Sequence, residues 1–354
     1  MASETPSSFE LLTPLGWGPD LEEAFAALAD GEGRPGRVSR VDRGLCTVLL
    51  PEPVRASTSQ RSVATGDWVV LGSAALPADQ LVIRTVLPRR SSFTRQQAGA
   101  ETASQVIAAN VDRVLLLNGL DLTLSPARIE RYLALAWQSG ALPVLVLTKA
   151  DCCNEEALGE ALARARGVAI GVEVLAVSAV TGRGLDLLTQ THLAPGRTVA
   201  LLGPSGVGKS SLVNALAGRE LMPTGATRRD GKGRHTTTQG QLLSIPQLGV
   251  LLDTPGMRGL GLWDAAEGLS RTFDDVEELA ASCRFSNCGH GNEPGCAVVR
   301  AIESGQLPAA RLERWRKLER ELRLAAARQG DQQIRQESQR HWKAINKELG
   351  RRQR

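Results

Sequence analysis

The sequence predicts a multidomain chain that is all-β at its N-terminal end, α/β with an open parallel sheet at its centre, and mainly α at its C-terminal end. Three observations carry this. Between residues 36 and 92, short alternating or apolar runs are separated by turn residues, the pattern of a small barrel. Apolar tetrads such as Val144-Leu145-Val146-Leu147 and Val199-Ala200-Leu201-Leu202 each run into a loop of polar residues and glycines, as buried parallel strands do at their carboxyl ends. Beyond residue 262, three cysteines and a histidine crowd one glycine-bearing loop, and an Ala, Leu, Gln and Arg-rich arm follows.

The first 35 residues are rich in Gly, Pro and acidic side chains around one short helical pattern from Asp20 to Asp30, and are expected to be partly mobile. The barrel strands are read at Val38-Ser39-Arg40-Val41, Leu45 to Leu50, Asp67 to Leu71 and Leu81 to Leu87. The five-stranded OB-fold is one such barrel and commonly binds oligonucleotides. At its exit, Arg89-Arg90-Ser91-Ser92-Phe93-Thr94-Arg95 mixes cations with an aromatic ring. That segment could meet RNA phosphates and stack on a base, or serve only as a solvated basic linker.

The strongest local signal is Gly203-Pro204-Ser205-Gly206-Val207-Gly208-Lys209-Ser210, which follows the Val199–Leu202 run and opens the helical pattern Ser211 to Leu216. Its glycines let successive backbone N–H groups converge on phosphate oxygens at a helix N-terminus, whose dipole favours an anion. Lys209 would reach the β and γ phosphates, and the Ser210 hydroxyl would hold magnesium.

Such loops bind ATP as readily as GTP, so the base must be read elsewhere. Thr148-Lys149-Ala150-Asp151 sits at the carboxyl end of the Val144–Leu147 run. Asp151 can accept from the guanine N1–H and exocyclic amine, a pattern adenine lacks, while the Lys149 stem packs along the base. Asn is usual at the first position. Thr148 keeps a hydroxyl donor but loses the amide that braces neighbouring loops. Val174-Leu175-Ala176-Val177 leading into Ser178-Ala179 supplies the next strand and the loop behind the base.

Gly249-Val250-Leu251-Leu252 ends in Asp253-Thr254-Pro255-Gly256. Asp253 would bind magnesium through water and the Gly256 N–H would touch the γ phosphate, so this loop senses hydrolysis. Met257 stands where many switch GTPases carry a water-orienting glutamine. The substitute is sought in Gly231-Lys232-Gly233-Arg234-His235-Thr236-Thr237-Thr238, with His235 as the catalytic group and Thr236 or Thr237 as a magnesium ligand. The four motifs are those of a guanine-nucleotide switch in rotated order, the base box preceding the phosphate loop.

Cys283, Cys288, His290 and Cys296 match the ligand count of a closed, structural zinc site. Disulfides compete, but no secretory leader is legible and the nucleotide machinery points to a reducing cytosol, so a cytoplasmic location is expected. Cys46, Cys152 and Cys153 add no second cluster. Overall charge is only +4, yet residues 311–354 hold fourteen Lys or Arg against six Asp or Glu, a basic arm suited to RNA phosphates. No apolar run is long enough to span a bilayer, so no membrane partner is expected, and nothing demands self-association, so a monomer is.

The rotated motif order, Gly233-Arg234-His235-Thr236-Thr237-Thr238, Asp253 to Gly256, and the zinc signature ending Glu293-Pro294-Gly295-Cys296-Ala297-Val298 resemble the RsgA (YjeQ) family of bacterial GTPases acting in small ribosomal subunit biogenesis. Thr148 for Asn and Asn287 for an acidic residue depart from its common pattern. The resemblance implies a circularly permuted G domain between an N-terminal OB-fold and a C-terminal zinc domain. It divides the chain into an extension (1–35), an OB-fold RNA-binding domain (36–95), the GTPase domain (96–262), the zinc domain (263–310) and the basic arm (311–354). Its implied nucleotide contacts are Thr148, Lys149, Ala150, Asp151, Ser178, Ala179, Gly203 to Ser211, Asp253 and Gly256, with Lys209 and His235 catalytic. The resemblance also implies GTP and GDP as ligands, magnesium and one zinc as metals, and the 30S subunit with its 16S rRNA as partner. Hydrolysis would be stimulated by the subunit and coupled to release. A nucleotide-gated RNA-binding scaffold with slow turnover is the alternative, and an ATPase on other RNA a weaker one.

Overall fold

Five short strands close on themselves in the N-terminal half of the computed structural model, which describes residues 9–29, 33–50, 52–58, 61–73, 81–96, 104–224, 240–253, 265–291 and 293–327. They are β1 (Arg34–Val41), β2 (Leu45–Leu49), β3 (Pro53–Ser57), β4 (Trp68–Ser73) and β5 (Leu81–Val86). The ring runs β1-β2-β3-β5-β4 and returns to β1, antiparallel except for the β3–β5 pair. Val38, Val48, Ala56, Val69, Leu71 and Ile83 fill it. This is an OB-like barrel. Register shifts after Val38 in β1 and after Val70 in β4 supply the bends that a small barrel needs. β3 escapes the sequence reading because a proline opens it and Ala56 is its one fully buried side chain.

The expected mobility of the leader does not hold for residues 9–29. A 3-10 turn (Glu10–Leu15) and α1 (Pro19–Leu28) bury Leu12, Leu15 and Leu21. Phe9 stacks on Trp17 with centroids 5.6 Å apart, and Trp17 meets Trp68 of β4 edge-on at 5.0 Å. Aromatic pairs of this kind contribute about 0.5–1.5 kcal/mol each beyond their buried area. Arg37 of β1, wholly buried, donates Nη1 to the Leu15 carbonyl and Nη2 to the Asn110 carbonyl (3.0 Å), with its guanidinium 5.2 Å from the Trp68 ring. The Gly196 N–H donates to the Pro14 carbonyl at 3.0 Å. The leader is thus stitched to the barrel and to the loop before the phosphate-loop strand.

The basic exit segment is also ordered. β6 (Ser92–Gln96) pairs with β7 (Ser104–Ala109). Phe93 is 2% exposed and cannot stack on a base. Arg89 forks onto the fully buried Asp67 carboxylate at 2.7 Å for both bonds.

The α/β domain comprises β8 (Arg113–Gly119), α2 (Pro126–Ser139), β9 (Leu142–Thr148), α3 (Glu155–Val168), β10 (Val174–Ala176), α4 (Leu185–His192), β11 (Thr198–Leu202), α5 (Lys209–Ala217), β12 (Gln241–Ile245) and β13 (Gly249–Asp253). Their spatial order is β10-β9-β8-β11-β13-β12, parallel up to β13, with β12 folded back antiparallel. Leu115, Leu117, Val144, Val146, Val199, Leu201 and Leu251 face one core with Leu188 of α4 and Leu212 of α5. Alternate residues Val114, Leu116, Leu145 and Leu147 are buried on the other face. β12 continues the sheet into the barrel, Gln241 pairing with Arg40 of β1 while the Thr65 hydroxyl donates to the Gly240 carbonyl at 3.2 Å.

After residue 264 the chain forms a second compact unit of helices: α6 (Ala266–Thr272), α7 (Asp274–Ala281), α8 (Ala297–Glu303) and α9 (309–327). Arg311 of α9 lies buried beneath the Phe273 ring at 4.5 Å and forks onto Asp275 at 2.9 and 3.0 Å. Leu312, Trp315 and Leu318 bury one stripe of α9. Residues 328–354 of the basic arm lie outside the described residues. Among the described residues, no helix is long and apolar enough to cross a membrane.

Candidate functional site

Strand β11 ends in the phosphate loop, and α5 begins at its last residues. Gly206 (φ 75°) and Gly208 (φ 95°) take left-handed backbone that side chains resist, which curls the loop at the helix N-terminus. A Cβ on Gly203 would sit 2.9 Å from the Leu117 carbonyl oxygen, so strand β8 presses directly on the loop's start. Lys209 Nζ donates to the Gly203 and Pro204 carbonyls at 2.7 and 2.8 Å, which lays the ammonium across the loop. Ser205, Gly206 and Ser211 are exposed, Pro204, Gly208, Lys209 and Ser210 half-buried, and Val207 anchors the loop in the core.

The base box meets this loop. Thr148, expected to leave neighbouring loops unbraced, donates its hydroxyl to the Val207 carbonyl at 2.6 Å. A short side chain suffices because the end of β9 lies beside β8 and hence against the loop. Lys149 takes left-handed backbone (φ 60°) and its Nζ pairs with Asp121 at 2.5 Å. Asp121 was not foreseen; its signal is the Asn118-Gly119-Leu120-Asp121 loop at the end of the apolar run of β8. The Ser178 hydroxyl donates to Asp151 Oδ1 at 2.5 Å and accepts the N–H groups of Val180 and Thr181 at 3.2 and 3.1 Å. Its hydrogen bond lowers the Asp151 pKa below the ordinary carboxylate value, so the exposed carboxylate stands ionised and aligned. Ala150 is buried under this turn, its N–H donating to the Val177 carbonyl at 3.1 Å, and Ala179 is half-buried in the loop that follows.

Asp253 ends β13 opposite Leu201 of β11, at the same carboxyl edge as the phosphate loop. Gly256, His235, Thr236 and Thr237 lie outside the described residues.

In the helical unit, the Sγ atoms of Cys283, Cys288 and Cys296 and a ring nitrogen of His290 lie within 4.8 Å of one another. Cys283 and Cys296 Sγ are 3.8 Å apart, and His290 Nδ1 lies 3.6 and 3.7 Å from them. A tetrahedral ion about 2.3 Å from sulfur and about 2.0 Å from nitrogen sets edges of about 3.8 and about 3.5 Å, so this donor set is compatible with zinc. Backbone N–H groups of Ala297 and Val299 point at Cys283 and Cys296 Sγ at 3.3 and 3.4 Å, the bonds a thiolate accepts. His290, at φ 57°, is fixed from both sides: Glu293 accepts the N–H groups of Gly289 and Gly291, and Arg316 of α9 donates to the Gly289 and His290 carbonyls.

A phosphate loop joined to a Thr-Lys-Ala-Asp box that precedes it in the chain, on one open sheet, is the arrangement of a circularly permuted P-loop GTPase. The chain belongs to the RsgA GTPase family, which residues 86–263 match. It is 47% identical over 356 residues to the small ribosomal subunit biogenesis GTPase RsgA of Streptomyces avermitilis, covering 96% of this chain and 94% of the relative. It is 40% identical over 315 residues to the protein of that name from Methanosarcina acetivorans, covering 87% and 84%. The crystal structure of YjeQ from Thermotoga maritima superposes with a TM-score of 0.60 at 27% identity, over 82% of this chain and 98% of that one. YloQ, described as a circularly permuted GTPase, shares the fold at 21% identity with a TM-score of 0.57, over 83% and 96%. The protein is therefore a GTP-hydrolysing enzyme of ribosome biogenesis.

Proposed function

We propose that the protein is a GTP-driven switch on the small (30S) ribosomal subunit, hydrolysing GTP late in that subunit's maturation and leaving once GDP is formed. The observation that supports this best is the Thr148–Val207 bond, which ties the proposed base box to the phosphate loop. Asp151 reads the guanine edge, Lys149 flanks the base, Ala150, Ser178 and Ala179 back it, and Gly203 to Ser211 cradle the phosphates. Ser210, Asp253 and Thr236 or Thr237 would hold magnesium, which when bound neutralises charge on the β and γ oxygens. Lys209 adds a cation beside the same phosphates, Gly256 contacts the γ phosphate, and His235 positions the attacking water. Cys283, Cys288, His290 and Cys296 would hold zinc as a structural clamp, four protein ligands leaving no position for substrate. The partner surface is 16S rRNA, met by the barrel and the basic arm. Strand β12, which directly follows the segment carrying His235, pairs with barrel strand β1, so a response of that segment to γ-phosphate would be felt by the barrel.

The test is GTP hydrolysis by the zinc-loaded protein with small subunits, with large subunits, and alone, with Lys209→Ala as control. Stimulation by small subunits alone, lost in the variant, is expected. Equal rates in all three would overturn the 30S switch. Met257, in place of a water-orienting glutamine, favours slow unstimulated turnover, and turnover that stays slow on subunits that nonetheless bind would establish the scaffold reading.

A further inference from the structure

A second cationic cleft lies at the opposite end of the sheet from the phosphate loop. Where β8 and β11 begin, an open cleft of about 350 Å³ is lined by Arg90, Ser91, Asp112, Arg113, Gly140 and Arg197, among others. The phosphate loop lies where the same two strands end, roughly 20 Å away at about 3.3 Å per residue.

The charges in this cleft are unequally spent. Arg90 is paired with Asp20 at 2.5 and 2.7 Å. The Asp112 carboxylate accepts the Thr198 N–H at 2.6 Å. Arg113 and Arg197 have no ion-pair partner among the described residues. Each guanidinium carries five donors. Arg113 commits Nη1 to His192 Nδ1 at 3.1 Å, and Arg197 commits Nη1 to the Thr191 carbonyl at 3.1 Å.

His192 sets the orientation of Arg113. The ring is 1% exposed, and burial holds its pKa below the usual value, so it is neutral and Nδ1 accepts. Its Nε2–H then faces Glu173 Oε2, 3.2 Å away but poorly aligned for a hydrogen bond. Burial and the neighbouring Arg197 push the Arg113 pKa down, outweighing the opposing pull of the Glu173 and Asp112 carboxylates. No aromatic ring is among the residues that line the cleft, and it is open to solvent rather than enclosed, so its chemistry suits a phosphodiester better than a stacked base.

We propose that this cleft holds a backbone phosphate of single-stranded RNA, with Arg113 and Arg197 as the donors and His192 as the residue that positions Arg113. The choice of RNA rests on the rRNA-partner reading above.

The experiment measures binding of a labelled single-stranded oligoribonucleotide to the full-length, GDP-saturated protein across a salt series. The Arg113→Gln/Arg197→Gln pair should bind at least tenfold more weakly, with the salt slope reduced by about 0.7, the value for one phosphate on a single strand. The Arg113→Lys/Arg197→Lys pair should recover most of the affinity. Arg164→Gln/Arg166→Gln, which removes equal charge from α3, should lose little. Unchanged affinity for a fluorescent GTP analogue in every variant shows that the fold is intact. RNA binding by the glutamine pair within twofold of wild type, an equal loss in the α3 pair, or a wild type that binds no RNA would overturn the proposal. So would loss of inorganic pyrophosphate binding with RNA binding retained, which would reassign the cleft to free phosphates. Small subunits that fail to stimulate wild-type hydrolysis would sink the switch reading while leaving this RNA comparison to be decided by the cleft alone.

Discussion

The hydroxyl of Thr148 donates to the carbonyl of Val207 at 2.6 Å, so the residue that opens the base box holds the middle of the phosphate loop. Both groups are buried. Thr148→Val keeps the shape and leaves the Val207 carbonyl without that donor, at about 1–3 kcal/mol. GTP and GDP affinity should each fall by roughly tenfold or more, read by titration with a fluorescent nucleotide. An unchanged affinity would mean the loop holds its shape without the bond.

The Ser178–Asp151 bond gives a pH dependence with a defined sign. Because the hydroxyl lowers the Asp151 pKa from its ordinary 3.8, the carboxylate's contribution is fully present above that value and is lost as pH falls through the lowered one. Wild-type GTP affinity should stay level from pH 8 down to 5. Ser178→Ala should weaken binding and move the acid fall upward, checked by competitive binding between pH 4 and 8.

His235→Ala should lower single-turnover hydrolysis by about 10²- to 10⁴-fold, the range for a positioned acid–base group, while leaving GTP affinity near wild type. Rapid-quench measurement on pre-bound GTP separates the two. Unchanged hydrolysis would move the role to another group.

Cys296→Ser removes one of the four candidate zinc donors, a thiol whose Sγ lies 3.8 Å from Cys283 Sγ. Elemental analysis should find one zinc per wild-type chain and none in the variant. Structural zinc contributes about 10–16 kcal/mol of binding free energy in small peptides, so the helical unit should lose its cooperative melting with the metal. A variant that melts like wild type would show that the helices stand without it.

Arg37→Met keeps the bulk over Trp68 and strands the Leu15 and Asn110 carbonyls. With about 1–3 kcal/mol for each of the two orphaned groups and about 2–4 °C per kcal/mol for a domain of this size, the midpoint of thermal unfolding should fall by roughly 4–24 °C. Calorimetry of the full chain reads this directly.

These contrasts show what a sequence can disclose. The phosphate loop and the Cys283–Cys296 knuckle are legible because their chemistry lies in consecutive or nearly consecutive residues. The Thr148–Val207 brace spans 59 positions and depends on which strands are neighbours, so no local pattern announces it. The leader misleads for the same reason: Phe9 and Trp17 look like isolated aromatics until Trp68 is brought against them. Strand β12 escapes notice because its burial is broken, Leu242 and Ile245 inward with half-buried Leu243 and exposed Ser244 between them. Phe93, a plausible stacking residue beside three arginines, is claimed instead by the core under β6.

The pairing of β12 with β1 also settles how the α/β sheet ends. An open sheet exposes two rows of unpaired backbone groups, each an invitation to another chain. Here β10 closes one side with only three residues, and on the other Gln241 of β12 is hydrogen-bonded to Arg40 of the barrel. A barrel has no edge of its own to pass the problem on to. The domain that precedes the phosphate loop in sequence therefore also covers the edge where another chain could add a strand.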